Sequence, residues 1–117
     1  MIIHHRSPES RPSRRQLAVA DVILDEATHE VWQAGELVDM TRTEFRLLAY
    51  LTANAGHVVT RRQLLDHGWD HDLGADEESL LEMYMWYLRR KVDRGEQPLI
   101  EAVPGIGYVA RAIPSQL

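Results

Sequence analysis

The stretch from Ala75 to Asp93, ADEESLLEMYMWYLRRKVD, constrains the fold more than any other part of the chain, because it is long, periodic and free of Gly and Pro. Leu81, Met85, Leu88 and Val92 fall at i, i+4, i+7 and i+11. On an α-helix these four form one stripe, which is expected to face a core. Tyr84 lies at the margin of that stripe. Ser79, Met83, Trp86 and Arg90 project to the opposite side, with Glu82 and Tyr87 beside them. A helix that anchors a small core while presenting aromatic and basic groups outward has the layout of a reading head.

The 117 residues suit one domain with one core. Charged residues make up 26% of the chain, which fits a globular protein. Cysteine is absent, which excludes disulfides, thiolate metal sites and cysteine nucleophiles and fits a reducing compartment. No apolar run reaches the ~20 residues that a membrane span needs. The start, MIIHHRSPESRPSRRQ, lacks the apolar region of a secretory signal, so a cytoplasmic location is expected. The net charge of −5 is unevenly spread. Arg6, Arg11, Arg14 and Arg15 face only Glu9 within residues 1–16, and Arg89, Arg90, Lys91 and Arg94 cluster late in the long helix. A globally acidic chain of this kind can bind nucleic acid through one basic face, with weak non-specific affinity.

Residues 1–16 combine Pro, Ser and Arg and read as a flexible linker or tail, either a solvated leader or a basic arm that touches phosphates. From Leu17 to Met40, the runs LAVA, VILD, EVWQA and ELVDM are separated by turn residues, as in a small antiparallel sheet, with a tight hairpin expected at Ala34-Gly35-Glu36. Thr41-Arg42-Thr43-Glu44 has the form of a capping box. It opens a helix whose apolar stripe is Phe45, Leu48, Ala49 and Leu51, with Gly56 as the expected C-cap. Val58-Val59 allows only a brief strand. Thr60-Arg61-Arg62-Gln63 opens a second capped helix that directs Leu64, Leu65 and Trp69 inward, and Asp70 to Gly74 is expected to be a loop. After the long helix, Arg94-Gly95-Glu96-Gln97-Pro98 is a terminator. Strands are expected over Leu99–Val103 and Tyr108–Ala112, joined by Pro104-Gly105-Ile106-Gly107, whose two glycines would let the tip approach another molecule closely. Residues 114–117 read as a short tail.

Two capped helices, a loop, a longer third helix and a terminal hairpin follow the order of a winged helix-turn-helix. Within that order, Leu37 to Phe45 reads LVDMTRTEF, Val58 to Leu65 reads VVTRRQLL, Leu88 to Lys91 reads LRRK and Gly105 to Tyr108 reads GIGY. Together, over about residues 17–113, these resemble the C-terminal DNA-binding effector domain of OmpR/PhoB-type two-component response regulators. The resemblance implies an α+β fold: a four-stranded N-terminal antiparallel sheet, three helices and a C-terminal β-hairpin wing. It also implies a sequence-specific transcriptional regulator that binds double-stranded DNA, commonly as a homodimer on direct repeats. The third helix would enter the major groove, and the loop at about Trp69 to Asp76 would be available to RNA polymerase. Members normally carry an N-terminal receiver domain, so residues 1–16 read as an interdomain linker.

Carried over position by position, the DNA-binding candidates are Ser79, Met83, Tyr84, Trp86, Tyr87, Arg89, Arg90 and Lys91, and the wing is Pro104, Gly105, Ile106 and Gly107. Relatives commonly place more basic groups at several of these positions. Fewer phosphate contacts, and hence a flatter salt dependence, are therefore expected. Arg89, Arg90 and Lys91 are the phosphate candidates. Trp86 and Tyr87 have three open roles: packing on the wing, touching DNA, or forming a protein interface. The last role defines the alternative function, a protein-interaction winged helix with weak or no DNA binding.

Asp76, Glu77 and Glu78 form a first-turn acidic cluster that suits the helix dipole. His67 and His71, among Asp66, Asp70 and Asp72, superficially resemble metal ligands, but Gly68 and a helix end between them spoil the geometry, so no metal is expected. Thr41 and Ser79 lack the histidine and carboxylate of a nucleophilic site. Gly105-Ile106-Gly107 lacks the following helix of a nucleotide-binding loop. Neither a cofactor nor enzymatic activity is expected.

Overall fold

In a computed structural model, residues 16–93 and 98–111 are described. The expected stops at Arg94 to Gln97, the leader 1–15 and the tail 114–117 lie outside them. The chain begins with four short strands, β1 (Gln16–Val19), β2 (Val22–Asp25), β3 (Glu30–Gln33) and β4 (Glu36–Val38), in a sequential antiparallel sheet. The β3–β4 connection is the expected tight hairpin. Gln33 pairs with Glu36, and Ala34 and Gly35 take φ of +51° and +84°, the two left-handed residues of a turn that matches strand twist. Alternation along the strands turns Val22, Leu24, Val31 and Val38 inward.

Helix α1 (Arg42–Ala53) starts at the full capping box: the Thr41 hydroxyl accepts from the Glu44 amide, and the Glu44 carboxylate accepts from the Thr41 amide. Its stripe is broader than expected, because Leu47 is fully buried beside Phe45, Leu48, Ala49 and Leu51. The C-cap is Asn54, not Gly56. Gly56, at φ +86°, makes the later bend and donates to the Ala110 carbonyl at 2.8 Å. The brief strand β5 (Val59–Thr60) leads into α2 (Arg61–Gly68), which carries a second full capping box between Thr60 and Gln63. Trp69 is the C-cap of α2 and only half-buried.

The long helix, α3 (Glu77–Val92), is shorter than the expected stretch from Ala75 to Asp93. Gly74–Asp76 forms a 3-10 turn, so Ala75 and Asp76 stand outside the α-helix, and Asp93 is the C-cap. Its buried residues are the expected four, Leu81, Met85, Leu88 and Val92. Strands β6 (Ile100–Val103) and β7 (Gly107–Ala110) form the terminal hairpin, and β5 adds to β7 to make a three-stranded sheet. The expected strand end at Ala112 lies outside the described residues. The architecture is α+β, a four-stranded antiparallel sheet, three helices and a C-terminal hairpin.

One expectation about the hairpin is corrected. Gly105, at φ +77°, serves the exposed turn, but Gly107 is buried and already in β7. A Cβ on Gly107 would lie 1.9 Å from the Val59 carbonyl oxygen. The absent side chain therefore admits strand β5 of the same chain and not another molecule. Gly107→Ala is expected to break the Val59–Tyr108 pairing and to destabilise the protein by several kcal/mol, about 3 or more, as measured by denaturant unfolding. Gly105→Ala, with open space around its Cβ, is expected to cost about 1 kcal/mol from its left-handed backbone alone.

Candidate nucleic-acid interface

Helix α3 is fixed at its C-terminal end by contacts to three other elements. The Gln33 amide of β3 donates to the Val92 carbonyl at 2.6 Å. The Lys91 ammonium donates to the Asp39 carbonyl at 2.9 Å and to Glu44 Oε1 at 2.6 Å. The Asp93 carboxylate accepts from the Leu99 and Ile100 amides at 2.7 and 3.2 Å, which ties the helix to β6. With the apolar stripe turned inward, the rotation of the helix is set, and so is the face left outward.

That face carries Ser79, Met83, Trp86, Tyr87 and Arg90, all exposed. The relative exposures of Met83, Trp86 and Tyr87 are 44%, 54% and 45%, so neither ring is buried against the wing. Trp86 and Tyr87 meet edge to face at 5.3 Å, and the Arg90 guanidinium carbon sits 4.7 Å from the Trp86 ring centroid. Such a stack holds the guanidinium on the ring without consuming its N–H donors.

The other candidates sit on the flanks. Tyr84 is half-buried, edge to face with Trp69 at 5.3 Å. Arg89 pairs with Asp93 at 3.7 Å. Lys91 reaches back to Glu44, which is only 4% exposed and also closes the α1 capping box. Of the three phosphate candidates, Arg90 alone stands on the outward face. At the wing, Pro104, Gly105 and Ile106 are exposed, and the Arg61 amide donates to the Ile106 carbonyl at 3.1 Å, which holds the tip against the start of α2.

The role of Arg61 and Arg62 was not evident from the sequence. Arg61 reaches Glu78 at 3.5 Å and Glu82 at 4.0 Å, and Arg62 reaches Glu77 at 3.2 Å and Asp66 at 3.3 Å. Each such surface pair stabilises only weakly, yet together they link the α3 carboxylates to the start of α2. The available signal was the pair of arginines directly inside the second capping box, opposite three glutamates in the next helix. The hydrogen bond to Glu77 raises the Arg62 pKa. In the loop after α2, the hydrogen bond and charge of Arg46 hold the Asp70 carboxyl below its usual range. His67 Nδ1–H donates to the Gln63 carbonyl at 2.8 Å while its ring stacks on Tyr50, so this imidazole is engaged within the helix pair.

These elements, two capped helices followed by a long helix with an outward face and a pinned β-hairpin, define a winged helix-turn-helix DNA-binding domain. Residues 35–110 match the family described as "Transcriptional regulatory protein, C terminal", and the chain belongs to that family, the OmpR/PhoB-type DNA-binding effector domains of two-component response regulators. It is 43% identical over 99 residues to the probable transcriptional regulatory protein TcrX of Mycobacterium tuberculosis, a match that covers 85% of this chain and 42% of that protein. The chain thus spans less than half the length of that relative. Among solved structures, the DNA-binding domain of CpxR from E. coli superposes with a TM-score of 0.73 at 29% identity, covering 83% of this chain and 96% of that one. The Klebsiella pneumoniae RstA DNA-binding domain, solved in complex with the RstA box, shares the fold with a TM-score of 0.68 at 24% identity, covering 84% and 98%.

Two outcomes follow from the flanks. Lys91→Ala leaves the buried Glu44 carboxylate without its ammonium and is expected to lower unfolding stability by about 1–3 kcal/mol, whereas Arg90→Ala is expected to change it by less than about 0.5 kcal/mol. Tyr108 has a pKa raised mainly by burial and then by the charge of Glu82. A raised phenol means that its stabilising contribution is complete below about pH 10 and is lost as pH rises further. Urea melts across alkaline pH are expected to show a smaller loss for Tyr108→Phe than for the unaltered protein.

Proposed function

We propose that the outward face of α3, Ser79, Met83, Trp86, Tyr87 and Arg90, reads base edges in the major groove of duplex DNA, with the Pro104–Gly107 hairpin alongside. The observation that carries this is the combination of a rotationally fixed helix with an exposed face whose neighbouring glutamates are paired with Arg61 and Arg62 of α2. Tyr84, Arg89 and Lys91 act as supports that hold the face, and Arg90 is its principal cation.

On this reading the chain is the sequence-specific output domain of a longer cytoplasmic regulator and carries out no catalysis itself. The absence of cysteine agrees with that location, and among the described residues no helix is long and apolar enough to cross a membrane. Dimers on direct repeats and contact with RNA polymerase through the Trp69–Asp76 segment complete the proposal. That segment exposes Asp70, Asp72 and Asp76, a surface suited to a basic protein partner.

The second reading is a protein-interaction winged helix. The contiguous exposure of Met83, Trp86 and Tyr87 favours it, because an aromatic patch of this kind is also an interface signature.

Selection of bound duplexes from random DNA, followed by a salt titration, tests the proposal. A specific site is expected, with a slope of log K against log salt shallower than about −4, since few phosphates are contacted. Arg90→Ala should weaken the site by about tenfold or more. Failure to enrich any duplex, with a partner protein bound through Trp86, would favour the second reading.

A further inference from the structure

The chemistry of the exposed face narrows the kind of DNA it can read. In the major groove the base edges offer donors, acceptors and one apolar group, the thymine 5-methyl. Ser79, Tyr87, Arg90 and the Trp86 indole N–H bring hydrogen-bonding groups to the α3 face, but much of its exposed surface is the apolar bulk of Met83, Trp86 and Tyr87. Met83 presents a thioether and Trp86 an indole that meets the Tyr87 ring edge to face, and all three side chains are exposed. Glu77 pairs with Arg62 at 3.2 Å, and Glu78 and Glu82, both exposed, pair with Arg61 at 3.5 and 4.0 Å, which offsets their charge beside this face. Arg90, stacked at 4.7 Å on Trp86, keeps its fork of N–H donors free for the paired acceptors of a guanine.

We propose that this face reads thymine 5-methyl groups through Met83, Trp86 and Tyr87, while Arg90, positioned by Trp86, reads an adjacent guanine. The proposal rests on the assignment of α3 as the DNA-reading element. It adds the base class that the helix selects and gives Trp86 two tasks, methyl contact and support of Arg90. Shape matching against deoxyribose offers apolar contact as well, but sugars carry no sequence information, so a face committed to them would not discriminate among sites.

The test takes the duplex enriched by selection and remakes it with deoxyuridine at each thymidine under the footprint. The two duplexes have identical hydrogen-bonding edges and differ only in the methyl groups. Affinity is expected to fall about 3- to 5-fold for each contacted methyl. Met83→Ala should lose part of the thymine-over-uracil preference. Trp86→Ala should lose most of it and should also relax selectivity at the neighbouring guanine, while Trp86→Phe retains some of both. Circular dichroism of each variant checks that the fold is kept, as the exposure of Trp86 leads one to expect. Equal affinity for the two duplexes, with site-specific binding intact, overturns methyl reading and leaves DNA reading by α3 standing. Full thymine preference in a folded Trp86→Ala protein overturns the role of Trp86. Enrichment of no duplex at all removes both this inference and the reading on which it rests.

Discussion

Everything on the surface of this domain depends on the inward burial of Leu81, Met85, Leu88 and Val92 along one side of α3. An amphipathic helix packed on one stripe has one rotation available, and that rotation decides which side chains meet another molecule. The stripe fixes the angle, and the hydrogen bonds of Gln33, Lys91 and Asp93 fix the end. Sheet, helices and hairpin each contribute one of these ties. The four-stranded sheet, β1 to β4, therefore takes part in the function without approaching it, because through Gln33 it sets where the Val92 end of α3 rests.

Charge is arranged around the same helix. An acidic chain presents phosphates with a poor average field, and the first turns of α3 carry glutamates that would repel DNA if they turned outward. Arg61 and Arg62 pair with them, while the same acidic residues suit the positive end of the helix dipole. The outward face carries the apolar surface of Met83, Trp86 and Tyr87 and is tipped by Arg90. A head built this way obtains less of its affinity from counterion release and more from contact with base edges, and its binding depends correspondingly on sequence.

Much of the fold was legible in the residues because the signals were local. Two capping boxes announced α1 and α2, turn residues divided the first sheet, and the i, i+4, i+7 spacing announced the buried side of α3. The beginning of α3 was not legible: Gly74 allows a 3-10 turn through Asp76, and the absence of Gly and Pro after it does not distinguish that turn from helix. The roles of Lys91 and Gly107 were hidden for a different reason. Lys91 sits in a basic run that reads as a phosphate contact, yet its partner Glu44 lies 47 positions away in sequence, and only the fold brings them together. Gly107 reads as a tip glycine, but its requirement comes from the Val59 carbonyl across the sheet. The outward set Ser79, Met83, Trp86 and Arg90, with Glu82 and Tyr87 beside it, followed from helical geometry alone, whereas which neighbours serve as supports did not.

The central claim is that the outward face of α3 is the surface that meets DNA. The most direct test is a titration of the isotopically labelled protein with its selected duplex, followed by nuclear magnetic resonance of backbone amides and of the tryptophan indole N–H signals. The account predicts that the largest shifts fall on Ser79, Met83, Trp86, Tyr87 and Arg90, with the Trp86 indole moving and the Trp32 indole of the sheet unchanged. Shifts centred instead on the cleft beside α1 and α2, around Arg46, Tyr50 and His67, with the Trp86 signals unmoved, would contradict it.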